Sequence, residues 1–560
     1  MKRTWWKEAV VYQIYPRSFK DSNGDGIGDL QGIIDQLDYL KYLGVDVVWL
    51  SPVYESPLDD NGYDVSDYYR ILKDFGTIED WRRLADEIHA RGMKIVMDMV
   101  LNHTSDEHEW FVSSRESADS PYRDFYYWRK GKDGKEPNNW ESFFGGSAWV
   151  YDEKTDEYYL HLFSKKQPDL NWENPNVRRA MYDTMRFWLD QGVDGFRLDA
   201  VNLLSKRERL PDSELTVPGK NYAVCGHLNV NGPKIHDIFQ EMNREVFAHY
   251  DMFTVAEMAG VNAQDGLLYT DESRKELDSL ICFEHMDVDN GPEGRYETIP
   301  LDLPRLKEIM SSWQTTLQGK GWNGLYLNNH DQPRVVSRWG DDGKYRVESA
   351  KMFATILHLM QGTPYIYQGE EIGMTNIRFP SIEDYRDVEV RNYYRIEVEE
   401  RGRDHASVME DVYKKSRDNA RTPMQWDVTA NGGFTTGTPW IGVNPNYEEI
   451  NVMQSMKDPN SILRYYRKLI QLRKRYDIIV YGDYELLLPE DPNVFAYKRT
   501  LDGLQMLVAA NVSGEEQTVR LLENLVEAEL LIGNYPEERR DKDVIALRPF
   551  EVKAYLLPRR

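Results

Sequence analysis

The chain has few cysteines and no long apolar segment. Only Cys225 and Cys282 occur among its 560 residues, and they lie far apart without CxxC spacing. This pattern supports neither a disulfide framework nor a zinc site. No stretch of about 18 apolar residues occurs, and no apolar run follows the basic N-terminus, which argues against a membrane span and a cleaved secretion signal. We therefore expect a monomeric cytoplasmic protein without a membrane partner.

Positive charge is also scarce. The chain has 69 Lys and Arg against 94 Asp and Glu, a formal net charge of −25 at pH 7. No Lys/Arg stripe interleaved with aromatic residues offsets this locally, so nucleic acid is excluded as a partner. The 41% hydrophobic and 29% charged composition is typical of globular proteins. Because the length exceeds what one core usually supports, we expect one large domain and at least one smaller module.

Eight short apolar runs alternate with longer amphipathic segments, which predicts parallel strands joined by helices. The segment Ile78–Arg91, for example, has Trp81, Leu84 and Ile88 at helical spacing. An eightfold alternation is typical of an α/β fold of the (β/α)8 TIM barrel type. The predicted strands are Ala9–Tyr15, Val45–Leu50, Lys94–Val100, Val193–Leu198, Met252–Ala256, Ser279–Phe283, Gly324–Leu327 and Thr363–Tyr367.

Two stretches depart from this alternation. The connection after strand three is too long for a helical crossover and is rich in Trp, Tyr, Gly and Asn, so we interpret it as an inserted subdomain. Short alternating runs near the C-terminus, separated by turn residues, predict an antiparallel β-domain. The predicted division is a barrel over residues 1–103 and 168–479, an inserted subdomain over 104–167, and a β-sandwich-like domain over 480–560.

Carboxyl groups follow three predicted strands, at the edge where a TIM barrel carries its active site. Asp199 follows strand four, Glu257 strand five and Asp331 strand seven. Hydrolysis of a glycosidic bond needs two carboxyl groups in different protonation states. Arg197 lies on the same side of its strand as Asp199, which predicts an ionised nucleophile. The apolar residues before Glu257 predict a raised pKa and the role of general acid/base.

Other polar residues follow strands two, three and seven. Asp60 and Tyr63 come after strand two, His103 after strand three, and His330 directly precedes Asp331. Either histidine could donate hydrogen bonds to sugar hydroxyls or serve only the fold, and the residues by themselves leave both possibilities open. Their placement together with the three carboxyl groups favours a single binding pocket.

The segment after strand one resembles the start of a calcium loop. Asp21, Asn23, Asp25 and Asp29 supply side-chain oxygens, with Gly26 at the sixth position. A complete EF-hand is excluded, because glycine occupies position twelve, where that motif has a bidentate glutamate. A shorter loop closed by Asp29 could still hold a structural Ca²⁺, and the alternative is Asp/Gly turn chemistry without a metal.

Ordered motifs along nearly the whole chain resemble glycoside hydrolase family 13, the α-amylase family, and within it the oligo-1,6-glucosidase and α-glucosidase branch. The motifs are Trp5-Trp6-Lys7-Glu8, Tyr12-Gln13-Ile14-Tyr15-Pro16, Asp98 to His103, Gln167-Pro168-Asp169-Leu170-Asn171, Gly195-Phe196-Arg197-Leu198-Asp199, Glu257, Asn329-His330-Asp331 and Arg421-Thr422-Pro423-Met424-Gln425-Trp426.

The resemblance implies a catalytic triad of Asp199, Glu257 and Asp331, the last gripping and distorting the sugar. It implies a blind pocket and exo action, and a calcium loop in which Ile27 contributes its carbonyl oxygen beside Asp21, Asn23, Asp25 and Asp29. It also implies that the pocket around the terminal glucose is lined by Asp60, Tyr63, His103, Phe144, Phe163, Gln167, Arg197, His330, Arg417 and Arg421.

The resemblance links two positions to the type of glycosidic bond that is cleaved, and these two positions indicate different linkage preferences. Ala200 resembles relatives that prefer α-1,4 bonds, whereas Met258, in Met258-Ala259-Gly260, resembles the α-1,6 type. We expect hydrolysis of terminal α-1,6-linked glucose from isomalto-oligosaccharides, with a broad or α-1,4-preferring α-glucosidase as the alternative. Glu284 replaces the histidine typical of trehalose-6-phosphate hydrolases, and the Arg-Leu-Asp-Arg-Asp loop of sucrose isomerases is absent, which disfavours both activities.

Two other function classes use the same framework. Some family members have lost catalysis and serve as transporter-associated subunits, but they lack part of the triad and carry a membrane anchor. A transglucosylase would use the same covalent intermediate and pass glucose to a sugar instead of water. The residues do not separate it from a hydrolase, because acceptor geometry and water access decide the outcome.

We predict that Ala200→Val shifts the preference of the enzyme towards α-1,6 bonds. An added isopropyl group at the edge of the aglycone site changes packing by about 1–3 kcal/mol, which is enough to alter a preference without abolishing a substrate. The measurement is kcat/KM on isomaltose and maltose for both proteins. An unchanged ratio would refute this role for position 200.

Overall fold

The computed structural model describes residues 3–217, 220–521, 525–537 and 540–558. At its centre lies a sheet of eight parallel strands, numbered one to eight here in chain order. Strands one to six are neighbours in sequence order, strand eight pairs with strand one, and strand seven pairs with strand eight. A parallel bridge between Leu280 and Asn323 joins strand six to the residue before strand seven and closes the barrel. The predicted TIM barrel is confirmed. Its strands are Val11–Ile14, Val47–Leu50, Lys94–Val100, Gly195–Asp199, Phe253–Met258, Ser279–Cys282, Gly324–Leu325 and Thr363–Tyr367.

The strand ends differ slightly from the prediction. Strands four and five extend to Asp199 and Met258, so both carboxyl groups of the predicted reacting pair lie on strand backbone instead of on loops. Strand seven is shorter than predicted and ends at Leu325. The next carbonyl, that of Tyr326, lies 2.9 Å from His285 Nε2, so this backbone oxygen bonds to a side chain and not to a neighbouring strand.

Helices surround the barrel, and the predicted helix after strand two is confirmed at Ile78–Ala90. Its apolar stripe of Trp81, Leu84 and Ile88 is fully buried, and a capping box between Thr77 and Asp80 starts it. The other longer helices that pack on the strands are Leu30–Asp35, Leu37–Leu43, Pro175–Asp190, Ile235–Glu245, Ala263–Thr270, Leu303–Leu317, Arg346–His358 and Ile462–Arg475.

The connection after strand three contains the helix Glu109–Glu116 and a three-stranded antiparallel sheet of Trp128–Arg129, Trp149–Asp152 and Glu157–Leu160. We call residues 104–167 the inserted subdomain. The residues that flank it on either side are held together by Lys206, whose buried Nζ lies 2.8 Å from Asp169 Oδ2 and 3.1 Å from Asn102 Oδ1.

A second excursion leaves the barrel after strand eight. Residues 377–415, here the strand-eight excursion, contain the helix Val388–Tyr394, which continues as a π-helix over Arg395–Glu400, and the helix His405–Lys415. They have an apolar cluster of their own that includes Tyr385, Val390 and Val412. No sequence pattern predicted this excursion as a separate unit.

The predicted antiparallel β-domain at the C-terminus is confirmed. Five strands pair in the order Asp483–Leu487, Val494–Leu501, Leu504–Asn511, Val552–Pro558 and Glu529–Gly533, and a second sheet contains Gln517–Arg520, Val544–Leu547 and Arg540–Asp541. The buried Arg499 fixes this domain to the barrel by donating to the carbonyl oxygen of Leu359. Among the described residues, no helix is long and apolar enough to cross a membrane.

Candidate active site

One buried guanidinium, that of Arg197, holds three carboxyl groups at the carboxyl ends of strands three, four and five. Its Nη1 lies 2.7 Å from Asp98 Oδ1 and 2.6 Å from Asp199 Oδ1, and its Nη2 lies 2.6 Å from Glu257 Oε1. The backbone N–H of Ala200 donates to Glu257 Oε2 at 3.3 Å. The structure thus brings Asp199 and Glu257 together at the mouth of the barrel.

The protonation of this pair differs in part from the sequence-based expectation. Arg197 was predicted to keep Asp199 ionised at neutral pH. Burial raises the pKa of Asp199 and the Arg197 guanidinium lowers it, but the single charge of Arg197 is shared with Asp98 and Glu257, so burial outweighs its effect. Burial also raises the pKa of Glu257 to about 7, in the predicted direction. Near neutral pH the pair therefore holds a proton, as double displacement requires.

Asp331 lies in a different environment. His330 Nε2 is 3.1 Å from Asp331 Oδ2, while Arg421 Nη2 and Arg417 Nη1 are 2.9 and 3.4 Å from Oδ1. Burial raises the pKa of Asp331, but these neighbours outweigh it and hold the pKa well below its usual range. This carboxylate stays ionised while the Asp199 and Glu257 pair takes up a proton.

Close polar contacts join five of the other predicted residues into one wall. Arg417 Nη2 lies 3.3 Å from Asp60 Oδ1, and Gln167 Nε2 lies 3.1 Å from both Asp60 Oδ2 and His103 Nε2. The same histidine nitrogen is 3.1 Å from the carbonyl oxygen of Tyr63. Burial lowers the pKa of His103 to about 4, so its ring is neutral. These groups offer donors and acceptors at the spacing that sugar hydroxyls require.

Aromatic rings complete the pocket. The Arg417 guanidinium lies 4.9 Å from the centre of the Phe144 ring, Phe144 contacts Phe163 edge to face at 5.6 Å, and Phe163 lies 5.2 Å from His103. The ring of Tyr63 stacks on that of His330 at 5.1 Å. Apolar ring faces suit the C–H surfaces of a sugar.

The two positions linked to the glycosidic bond border the reacting pair. Ala200 follows Asp199 directly and has left-handed backbone angles, φ 46° and ψ 35°. Met258 is the last residue of strand five and is fully buried. Both therefore lie next to a reacting carboxyl group, as their sequence positions predicted.

Three residues that no site prediction included support this arrangement. Asp98 contacts Arg197, and its position at the end of strand three was a signal that could have found it. Asp387 Oδ2 and Glu389 Oε2 lie 2.9 and 3.3 Å from Arg417 Nε. Asp387 and Glu389 lie in the strand-eight excursion, where no strand pattern marks them.

The loop after strand one is tight and rich in oxygens. Asp21 and Asp29 are buried, whereas Asn23 and Asp25 are exposed. Asp21 accepts hydrogen bonds from the backbone N–H groups of Asn23 and Gly26, Asp25 accepts from that of Ile27, and Asp29 caps the helix Leu30–Asp35. These oxygens are of the type that Ca²⁺ prefers. Among the described residues, however, no three carboxylate, histidine or cysteine side chains lie close enough together to hold a metal ion, and the loop oxygens accept hydrogen bonds from the turn itself.

Comparison with known proteins identifies the framework. The model of the alpha amylase catalytic domain matches residues 13–482, and that of the alpha-amylase SusG C-terminal domain matches residues 494–552. The chain belongs to the α-amylase family. It is 63% identical over 558 residues to an oligo-1,6-glucosidase of Parageobacillus thermoglucosidasius, covering 99% of each chain. It is 59% identical over 560 residues to an oligo-1,6-glucosidase of Bacillus cereus, covering 100% of each.

The fold is also similar to that of solved structures. The crystal structure of a trehalose-6-phosphate hydrolase of Bacillus licheniformis superposes with a TM-score of 0.93 at 47% identity and covers 100% of both chains. The predicted family membership is confirmed, and the common framework serves relatives with different substrates.

We predict a bell-shaped pH dependence of kcat/KM. As pH falls, the pair of Asp199 and Glu257 takes up a second proton and leaves no carboxylate to attack. As pH rises, the pair loses its last proton and leaves none for the departing oxygen. Glu257→Gln should lose about 10²- to 10⁴-fold activity on isomaltose. On 4-nitrophenyl α-glucoside, whose leaving group needs no proton, the variant should keep the acid limb of kcat/KM and lose the alkaline limb. If kcat/KM of the Glu257→Gln variant still falls at alkaline pH, a group other than Glu257 causes that fall.

Proposed function

We propose that this protein is an exo-acting retaining α-glucosidase that hydrolyses terminal α-1,6-linked glucose from isomalto-oligosaccharides. The observation that carries the proposal is the sharing of one buried guanidinium by Asp199 and Glu257, which places a nucleophile beside a proton donor. Relatives that are 59–63% identical along the whole chain are oligo-1,6-glucosidases, which supports the same substrate class.

The chemistry is a double displacement. Asp199 attacks the anomeric carbon while Glu257 gives its proton to the glycosidic oxygen, so the aglycone leaves as an alcohol and a glucosyl ester of Asp199 forms. Glu257, now a carboxylate, takes a proton from water. The resulting nucleophile attacks the anomeric carbon, releases glucose and restores Asp199. Asp331, ionised throughout, holds hydroxyl groups of the ring in a distorted conformation.

Exo action is supported by the walls of the pocket. Phe144 comes from the inserted subdomain and Arg417 follows the strand-eight excursion, and the two are in contact at 4.9 Å. Asp60 bonds to Arg417, and Gln167 bonds to Asp60, which continues this wall. A pocket closed on this side accepts the end of a chain and leaves no path for a continuing polymer.

Phosphorylated substrates are disfavoured by Glu284. Its carboxylate accepts a hydrogen bond from Trp313 Nε1 at 3.0 Å and lies 3.7 Å from Arg305. It stands where trehalose-6-phosphate hydrolases typically have a histidine. This separates the proposed activity from that of the 52% identical trehalose-6-phosphate hydrolase of Bacillus subtilis. Broad or α-1,4-preferring hydrolysis and transglucosylation stay the alternatives.

The proposal includes a structural calcium ion and a cytoplasmic monomer. Asp21, Asn23, Asp25, the Ile27 carbonyl and Asp29 would hold the cation and brace the turn between strand one and the helix Leu30–Asp35. The ion would stabilise the fold and take no part in bond cleavage.

We predict that isomaltose has a higher kcat/KM than maltose or sucrose. The measurement is the initial rate of glucose release from each disaccharide, with product analysis at high substrate concentration. A higher kcat/KM on maltose would favour the α-1,4 alternative. New oligosaccharides in place of free glucose would favour the transglucosylase.

We predict that Ca²⁺ raises the midpoint of thermal unfolding of the wild-type protein and that a chelator lowers it. Binding to the folded state alone stabilises by about 2.7 kcal/mol at a hundred times the dissociation constant. Asp25→Ala should lose most of this response while keeping kcat/KM, since Asp25 is exposed and lies outside the pocket. A midpoint that does not respond to Ca²⁺ would indicate that the loop is an Asp/Gly turn that binds no metal.

A further inference from the structure

A single helix in the strand-eight excursion contacts three separate parts of the pocket wall. It runs as an α-helix over Val388–Tyr394 and as a π-helix over Arg395–Glu400, and we call residues 388–400 the bridging helix. π-helical turns are rare and occur frequently at functional sites. No residue of this helix is one of the three catalytic carboxyl groups. The helix nevertheless contacts both the inserted subdomain and the barrel.

The first contact is with the inserted subdomain. Asn392 Nδ2 donates to the carbonyl oxygen of Phe144 at 3.1 Å. Ile396, four residues later and so on the same helical face, packs against Gly145, where an added Cβ would lie 3.0 Å from Ile396 Cδ1. Gly145 has a φ of 85°, so little else than glycine fits this close approach.

The other contacts are with the catalytic side of the barrel. Glu389 lies 3.3 Å from Arg417 Nε and 3.6 Å from Arg295 Nη1. Tyr393 stacks on Tyr296, with ring centres 4.0 Å apart and planes 13° apart. Tyr296 belongs to the hairpin strand Gly294–Thr298 that follows strand six. The helix is therefore fixed to the barrel at two points and reaches the inserted subdomain at a third.

We propose that Asn392 is a positioning residue that sets the closure of the glucose pocket through Phe144. The backbone that Asn392 holds is that of the residue whose ring lies 4.9 Å from the Arg417 guanidinium. Glu389, three residues earlier on the helix, fixes the same arginine. One rigid element therefore holds both the ring and the guanidinium, and the contact between them closes this side of the glucose pocket. This inference rests on the proposed exo-glucosidase function and names a residue that controls it.

The test is Asn392→Asp, which keeps the shape of the side chain but removes the donor and places a carboxylate against the Phe144 carbonyl. We expect KM to rise about 5- to 10-fold, by the same factor for isomaltose, isomaltotriose and 4-nitrophenyl α-glucoside. The inhibition constant of free glucose should rise by that factor, while kcat changes less than about twofold. A uniform factor is expected because the change affects the terminal glucose, which all these compounds have in common.

The matched control is Asn174→Asp. Asn174 Nδ2 also donates to a backbone carbonyl at 3.1 Å, that of Asp124, but away from the pocket. This control should leave the inhibition constant of glucose unchanged. Asn392→Gln, which retains the amide donor, should stay within about threefold of the wild-type KM.

The proposal fails if Asn392→Asp lowers the unfolding temperature without changing glucose inhibition, or if KM changes depend on the aglycone. If Asn392→Asp does not fold, Ile396→Ala removes the neighbouring contact of the same helix with Gly145 and should weaken glucose inhibition in the same direction. Failure of the proposed function is distinguishable, because it would appear as absent wild-type activity on isomaltose, whereas glucose binding can still be measured for every variant.

Discussion

The buried guanidinium of Arg197 is the interaction on which the rest of the site depends. Register places Asp98 opposite Arg197 on strands three and four, and it pairs Ala256 with Leu198, so Glu257 comes next to Asp199. Three carboxyl groups without this cation would be uncompensated charges in a buried site, which costs several kcal/mol. The barrel brings the reacting groups together, and Arg197 offsets the repulsion that their proximity creates.

Two further arginines give Asp331 a role different from that of Asp199 and Glu257. Arg417 and Arg421 act on Asp331, and Asp387 and Glu389 in turn hold Arg417. Asp331 is therefore fixed as an anion, while the pair at Arg197 shares a proton. Arg197 is a single cation beside three carboxyl groups, whereas Asp331 has His330 and two arginines beside it. Arg417 is also shared with Asp60, Asp387 and Glu389, so the environment of Asp331 differs through its histidine as well as through its arginines.

The sequence predicted the barrel, the antiparallel C-terminal domain and the helix Ile78–Ala90 because their apolar periods are local and strong. Strand ends indicated Asp60, Tyr63, His103 and the three carboxyl groups, because barrel geometry brings the residues after the strands together. Phe144, Phe163, Gln167, Arg417 and Arg421 were implied only by the resemblance to the α-amylase family. The extent to which Arg197 offsets the burial of Asp199 was not predictable, because the number of groups that share this arginine depends on strand register. The sequence did not indicate Asp387 or Glu389 either, since their role depends on an excursion whose packing no local pattern encodes.

The left-handed backbone at Ala200 has a consequence for how substrate preference can change. The φ of 46° is tolerated by alanine but is unfavourable for a β-branched side chain, at a cost of about 1–3 kcal/mol. The backbone N–H of this residue also contacts Glu257, so its angles cannot relax freely. A lineage that enlarges this side chain to select another linkage would lose conformational stability as it gains selectivity and would need compensating substitutions elsewhere in the barrel.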